Sequence, residues 1–217
     1  MDTSRGKRPE VSGGGAQLRA WEGEFGKEYT ERNVVDWRRR LPAFRRMLEG
    51  LALSRVLEVG CNRGHNLVTV AEIVGPAAEV VGVEPNGHAF QLAQNAGPRV
   101  AAVHGHVFDL PFGDEAFDIV FTAGVLIHVS LENLAAALRE IHRVSRRYLL
   151  AIEYFAAEET AIEYRGRMDL LWKRDFRAHY ERQFPGLRLR REGYWGPEEG
   201  FDRTHWWLLE KAREGRP

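Results

Sequence analysis

Four stretches of this chain carry side chains suited to chemistry. The first is Glu58-Val-Gly60-Cys61-Asn62-Arg63-Gly64-His65-Asn66. Its glycines let the backbone turn tightly and approach a ligand, and a helix starting there would offer free N–H groups. It is neither a dinucleotide fingerprint, because Asn62 breaks G-x-G-x-x-G, nor a phosphate loop, which needs Gly-Lys-Ser/Thr. The second is Glu84-Pro85-Asn86. Glu84 lies 20 residues beyond Gly64, the spacing at which an acidic side chain accepts hydrogen bonds from two ribose hydroxyls. The third is His104 to Phe112, with His106, Val107 and Phe108 at its start. The fourth runs from Thr122 and Ala123 to His128. With an ordinary pKa of ~6.5, His128 is a candidate base near neutrality, or else a helix-start histidine that bonds backbone.

Two more groups follow. Side chains alternate along a strand, so one of Glu153 and Tyr154 faces the site. Tyr154, sharing a face with Ile152, is the choice. Tyr164, Arg165 and Arg167 sit on the long connection after it. An arginine there would hold a carboxylate or phosphate through a fork of N–H donors, or would pair with Glu163, Asp169 or Glu153 and brace the loop. His65, His104 and His106 do not stand at metal-ligand spacing with carboxylates, so no metal is expected. Cys61 reads as a small residue fitting a tight loop.

These residues need a scaffold. The chain has 217 residues, 44% of them hydrophobic, enough for one sizeable core. Its 31 basic and 31 acidic residues balance, which argues against a nucleic-acid partner. Apolar runs are too short to span a membrane, and a single cysteine excludes an internal disulfide framework, so the expected setting is the cytoplasm. Met1 to Ala16 reads as a disordered tail. From Arg55 onward short apolar strands alternate with helical segments: strands at Arg55–Gly60, Glu79–Glu84, Arg99–His104, Phe117–Thr122 and Arg147–Tyr154, helices at Gly64–Val74, Ala89–Ala96 and Leu131–Val144. That alternation predicts a parallel sheet with helices on both faces. A helix over Met168–Phe184 and a C-terminal antiparallel hairpin, Leu187–Trp195 with Arg203–Glu210, complete it. In front, Trp21, Phe25 and Tyr29 form one stripe on a helix over Leu18–Asn33. A second helix, Val34–Leu51, turns Arg38, Arg39 and Arg40 mostly outward and is kinked or restarted at Pro42.

The set Glu58-x-Gly60-x-x-x-Gly64, Glu84, Asp109-Leu-Pro-Phe112, Phe117-Asp-Ile-Val-Phe121 and Leu126-x-His128 resembles the class I S-adenosylmethionine-dependent methyltransferases over roughly residues 50 to 155. Trp21-x-Gly23-Glu24-Phe25-Gly26-x-x-Tyr29-x-x-Arg32-Asn33, Glu163-Tyr-Arg-Gly166 and Thr204-x-Trp206-x-Leu-Leu-Glu210 are similar to the small methylases associated with pseudaminic acid biosynthesis. The resemblance implies a three-layer, Rossmann-like α/β fold. It consists of a mostly parallel seven-stranded sheet closed by the hairpin, with a helical lid over 17–51 and the methyltransferase domain over 52–212. It implies S-adenosyl-L-methionine as cofactor, S-adenosyl-L-homocysteine as product, and a small-molecule acceptor such as a sugar acid or an amino acid, which the arginines after the fifth strand mark as anionic, with no nucleic-acid or membrane partner, in a monomer or homodimer; the alternative is methylation of a macromolecule such as a peptide terminus, or a non-catalytic cofactor-binding module. Cofactor contacts would come from Tyr29, Arg32, Glu58, Gly60, Asn62, Gly64, Asn66, Glu84, Pro85, Asn86, His106, Val107, Phe108, Thr122 and Ala123. Trp21, Phe25, Tyr164, Arg165 and Arg167 would meet the acceptor, with His128 and Tyr154 as catalytic groups. Two positions depart from the family pattern: Asn62 replaces the middle glycine of E-x-G-x-G-x-G, and His106 stands where an aspartate commonly accepts from adenine.

Overall fold

The computed structural model describes residues 14–212. The tail expected over 1–16 lies outside that range up to residue 13, and Gly14 already opens the first helix. In chain order the strands are β1 (Arg55–Val59), β2 (Glu79–Glu84), β3 (Ala101–His104), β4 (Phe117–Ala123), β5 (Ser145–Glu153), β6 (Thr160–Ala161), β7 (Trp172–Lys173), β8 (Leu187–Trp195) and β9 (Thr204–Lys211). The helices are α1 (Gly14–Glu22), α2 (Glu24–Arg32), α3 (Leu41–Leu48), α4 (His65–Val74), α5 (Gly87–Gln94), α6 (Leu131–Val144) and α7 (Phe176–Gln183). Seven strands make one sheet in the order β3-β2-β1-β4-β5-β9-β8. The neighbours from β3 to β5 run parallel, and β9 runs antiparallel to both β5 and β8. The expected sheet and closing hairpin are therefore present.

Alternation along the strands divides the core. Leu57, Val81, Val120 and Leu149 point to one face, where α6 and α7 bury Leu138, Ile141, Phe176 and Tyr180. Val56, Val80, Ile119 and Leu150 point to the other, against Phe44 and Met47 of α3 and Leu67 and Val70 of α4. Both faces are covered, so the central strands read as near-continuous apolar runs. Trp206 and Trp207 are both buried, one on each face. Among the described residues no helix is long and apolar enough to cross a membrane.

Three expected helices differ. The front one breaks at Gly23 into α1 and α2, yet Trp21 still meets Phe25 and Tyr29 edge-on, with ring centroids 5.1 and 5.2 Å away. The second splits into a 3-10 turn, Trp37–Arg40, and α3, because Pro42 fits only the first turn of a new helix. This change of period swings Arg40 inward, against the outward expectation. The helix placed at Met168–Phe184 is confined to α7. Asp175 caps it by accepting from the Ala178 N–H at 3.0 Å, and Trp172–Lys173 pairs instead with Thr160–Ala161.

Asp118 locks the amino-terminal ends of β1 and β4 together. Its Oδ2 accepts from the Ser54 and Arg55 N–H groups at 2.7 and 3.0 Å, and Arg146 pairs with its other oxygen. Burial raises its pKa, but these donors and the arginine charge outweigh that and hold it below the ordinary 3.8. Asp118→Asn is expected to lower unfolding free energy by about 1–3 kcal/mol at neutral pH. A depressed folded pKa means the contribution is complete above the unfolded value and fades as pH falls through the folded one, so the urea midpoints of the two proteins should converge in acid. Equal midpoints at pH 7 would remove Asp118 as a clamp.

Candidate active site

The carboxyl ends of β1, β2 and β4 open onto a cavity of about 190 Å³. Its floor is the turn after β1. Gly60 and Gly64 have φ of 74° and 84°, and Asn62, at 47°, also takes the left-handed conformation. Asparagine is among the few non-glycine residues that visit that region, so the departure from glycine costs the loop little. The glycines are needed for packing: a Cβ on Gly60 would stand 2.5 Å from Val125 Cγ2, and one on Gly64 2.8 Å from the Ala96 Cβ.

Glu84 ends β2 inside this cavity and is nearly fully buried. Its Oε2 accepts from the Asn62 N–H at 2.7 Å and its Oε1 from the Asn86 N–H at 2.9 Å. Burial pushes its pKa up to about 7, against these two donors and the His104 charge. Glu58, deeper in the same wall, is pushed by burial to about 8; the Asn66 hydrogen bond and the Arg40 charge lower it and Glu84 raises it. Asn66 donates to Glu58 Oε1 at 2.7 Å, and Oε2 has no partner among the described residues. His106, Val107 and Phe108 line the far side, where His106 Nδ1 is also buried and unpartnered.

A second cavity, of about 260 Å³, adjoins the first and shares Tyr29, Asn33, Arg40, Ala123, Gly124 and His128 with it. The junction is shaped by Glu153. This buried carboxylate accepts from the N–H groups of Val125, Leu126 and Ile127 at 3.2, 3.2 and 3.3 Å, and burial raises its pKa to about 7. The turn it holds presents His128. His128 Nδ1 lies 2.5 Å from the Leu170 carbonyl, which can only accept, so Nδ1 carries the hydrogen and Nε2 keeps its lone pair. Burial lowers its pKa to about 4, partly opposed by that hydrogen bond, so the ring is neutral at pH 7. Trp21 packs on it at 4.4 Å.

Tyr154 lines the second cavity with Ile152 and donates to Asp202 Oδ2 at 2.6 Å. Burial and Asp202 push its pKa far up, so the phenol stays protonated. Tyr164 and Arg165 line the same cavity. Arg165 sits at φ 53° beside Gly166 at 75°, in a turn closed by the Tyr164 N–H and the Arg167 carbonyl at 2.7 Å.

The remaining expected residues are placed elsewhere. Arg32 lines the second cavity, not the first, and pairs with Glu28. Trp21 lines the first cavity, and Phe25 neither, packing instead on Trp21 and Tyr164. Arg167 lines neither; it is bound to Asp169 at 2.7 and 2.9 Å. Gly64, Asn86 and Thr122 support the wall without lining it. Asn86 caps α5 through Oδ1 and donates toward the carbonyls of Trp21, Glu22 and Gly23 at 2.9, 3.1 and 3.0 Å. Sequence reasoning missed Arg40, Gln17, Asn33, Phe201, Asp202 and Thr204 in the cavity walls. Arg40 was hidden in an arginine run. Phe201 and Asp202 fall between the hairpin turn and its second strand, and Thr204 falls at the start of that strand, so no local pattern marks them.

Residues 56–147 match a family described as "Methyltransferase domain". The chain is 36% identical over 104 residues to the uncharacterized methyltransferase C1B3.06c of Schizosaccharomyces pombe, a match covering 43% of this chain and 36% of that protein. It spans less than half the length of the curated relatives it matches. Magnesium protoporphyrin IX methyltransferase from Synechocystis, solved with S-adenosylhomocysteine, superposes with a TM-score of 0.69 at 16% identity, over 91% of this chain and 100% of that one. The 1,6-didemethyltoxoflavin-N1-methyltransferase of Burkholderia thailandensis, solved with its substrate and S-adenosylhomocysteine, gives 0.67 at 18% identity, over 95% and 92%. The fold of this chain is that of the Rossmann-like class I methyltransferases.

Proposed function

We propose that the protein is an S-adenosylmethionine-dependent methyltransferase acting on a small anionic acceptor. The observation that carries this reading is the pair of joined cavities: one holds Glu84 and the left-handed turn, the other an arginine-bearing wall, and they meet at the end of β4. The solved neighbours that hold S-adenosylhomocysteine, named as methyltransferases of 1,6-didemethyltoxoflavin and of magnesium protoporphyrin IX, support it. A buried free cysteine, Cys61, suits a reducing cytoplasmic setting.

Bound in the first cavity, S-adenosylmethionine would supply a methyl group on a sulfonium whose departure leaves a neutral thioether. The residues present suit such a ligand. Glu84 has four lone-pair sites and gives two to backbone N–H groups, so two remain for a ribose diol. Val107 and Phe108 pack an adenine, and His106 Nδ1 offers it a free polar atom. At the junction, His128 Nε2 can take a proton from an acceptor hydroxyl or ammonium; a carboxylate acceptor would need no base. With a folded pKa near 4 it is a weak base that stays available across the neutral range. Tyr154 orients the acceptor from the opposite wall, its hydroxyl fixed by Asp202.

The anionic reading rests on Arg165. Arg32 and Arg167 have carboxylate partners, whereas among the described residues none forms an ion pair with Arg165. Its left-handed backbone is a strained conformation of the kind that collects at ligand sites. A sugar acid, in keeping with the resemblance to the pseudaminic acid-associated methylases, and an amino acid both fall in this class.

Helices α1 and α2 act as a lid that excludes water. Asn86 holds the turn between them, Asn62 donates to Thr30 Oγ1 at 2.8 Å, and Gln17 ties α1 to the Ser130 N–H and the Asp169 carbonyl.

Calorimetric titration with S-adenosylhomocysteine tests the reading. Micromolar binding is expected, on the order of the ~1 μM to 1 mM scale usual for enzyme ligands, and no binding at high concentration would end it. Glu84→Ala should weaken that binding by about 1.5–3 kcal/mol per charged hydrogen bond lost; an unchanged affinity would take Glu84 out of the site. Gly26 tests the lid. A Cβ there would stand 1.9 Å from the Trp21 carbonyl oxygen, so Gly26→Ala must lift α1 from α2. Stopped-flow dissociation of S-adenosylhomocysteine should be several-fold faster in that variant, by about 1 kcal/mol or more of lost closure, and a wild-type rate would refute closure by these helices.

A further inference from the structure

Lys173-Arg174-Asp175 is a charge run of the kind that usually faces water, yet Arg174 is only 1% exposed. Its Nε donates to Glu159, its Nη1 donates to the Val129 carbonyl at 2.6 Å, and its guanidinium lies 5.1 Å over the Trp172 ring. Its Nη2 is buried with no partner among the described residues. A buried cation with a donor left unmade, and with its counter-ion Glu159 partly exposed, is a poor source of stability; apolar side chains of the same volume often do as well or better. What the guanidinium provides is a tie. Glu159 stands at the entry of β6 and Arg174 at the exit of β7, so the pair closes the base of the segment inserted between β5 and α7. Val129 follows His128 in the turn after β4. One side chain thus joins the insert to the turn that carries the proposed base.

We propose that Arg174 is a positioning residue for the methyl transfer: it holds the insert against the turn after β4, so that the Leu170 carbonyl fixes His128 in the form whose Nε2 can accept a proton. This rests on the methyltransferase reading, with His128 as its base, and deepens it. The His128 ring has two flat neighbours, Trp21 at 4.4 Å and Tyr164 at 5.8 Å between centroids. Flat contacts fix the plane of an imidazole but not its edge. A half-turn of the ring exchanges Nδ1 with a carbon and leaves the stacking much as it was. The edge is chosen by the Leu170 carbonyl, 2.5 Å from Nδ1. Without that acceptor the neutral ring favours the hydrogen on Nε2, and a donor would then face the junction where the reaction needs a lone pair. Leu170 is itself held by the insert around it: the Ile162 N–H donates to the Leu171 carbonyl at 2.9 Å, and Trp172–Lys173 pairs with Thr160–Ala161. The peptide group between Val129 and Ser130 is gripped from both sides. Arg174 donates to its carbonyl, and its N–H donates to Gln17 of α1 at 3.3 Å. Insert and lid therefore meet at the residue next to the base, and the buried arginine supplies the charged half of that grip.

The experiment reads the His128 ring nitrogens of the isotope-labelled full chain at neutral pH by long-range proton–nitrogen correlation, the ring being assigned by the signals that His128→Gln removes. The wild type should show the Nδ1–H form as the dominant one. Arg174→Gln should make that form the minority. Its affinity for S-adenosylhomocysteine, titrated by calorimetry, should stay within about 2-fold of wild type, since Arg174 lines neither cavity. Arg174→Lys keeps a donor for Val129 and should recover part of the Nδ1–H form. Glu159→Ala frees the other end of the guanidinium while leaving the buried side chain in place. It should shift the ring in the same direction, and it stands in for Arg174→Gln if that variant does not fold. An arginine that only braced the fold would lower Tm and leave the ring as in the wild type. Nδ1–H dominance persisting in a folded Arg174→Gln, or in Glu159→Ala standing in for it, would overturn the proposal. So would an Nε2–H ring in the wild type, or an Arg174→Gln variant that loses S-adenosylhomocysteine. Each of these leaves the methyltransferase reading standing as long as the wild type binds S-adenosylhomocysteine. A wild type that does not bind it ends that reading, and the catalytic meaning of the tie with it.

Discussion

Glu84 uses one oxygen to hold the turn after β1 and the other to hold the start of α5. Those two bonds join the floor of the first cavity to the residues that reach the helices above it. The N–H it accepts at Asn62 belongs to a residue in the left-handed conformation, whose side chain reaches up to Thr30 in α2. The N–H it accepts at Asn86 belongs to a residue whose side chain reaches the turn between α1 and α2. One carboxylate therefore fixes the floor of the cavity, and through two asparagines the roof as well.

The same device recurs along the carboxyl edge of the sheet. Glu153, at the end of β5, shapes the turn after β4 by accepting three backbone N–H groups. Glu58, near the end of β1, takes the Asn66 amide. Burial raises the pKa of all three carboxyls above the ordinary 4.5, to about 7 or 8. Raised folded pKa values mean that the stability they contribute is full in acid and is lost as pH rises through the folded values. A set of costly buried acids beside a cavity is a usual mark of a functional edge. At the opposite end of the sheet, Asp118 is satisfied by backbone donors and an arginine, and its pKa moves down instead.

Much of this was legible in the sequence because it is written in local patterns. Short apolar runs mark the strands, the hairpin signal marks β8 and β9, and the glycines with Glu84 mark the edge that carries the first cavity. Arg40 was not legible: in a regular helix its place in Arg38-Arg39-Arg40 points to solvent, and only the 3-10 turn forced by Pro42 brings it in. The segment from 155 to 175 reads as loop and helix, since nothing local signals the pairing of Thr160–Ala161 with Trp172–Lys173. Asn86 carries the sequence mark of a helix cap, and it does cap α5; its three contacts to the end of α1 and to Gly23 span more than 60 residues and leave no local trace.

Fold alone does not fix chemistry; the junction of the two cavities is where it would take place. The most direct test is a crystal structure grown with S-adenosylhomocysteine. The ribose should lie against Glu84 and the sulfur should point into the junction among Tyr29, Gly124 and His128, facing the cavity that holds Arg165. Density for the ligand outside the first cavity, or a sulfur turned away from that junction, would contradict it.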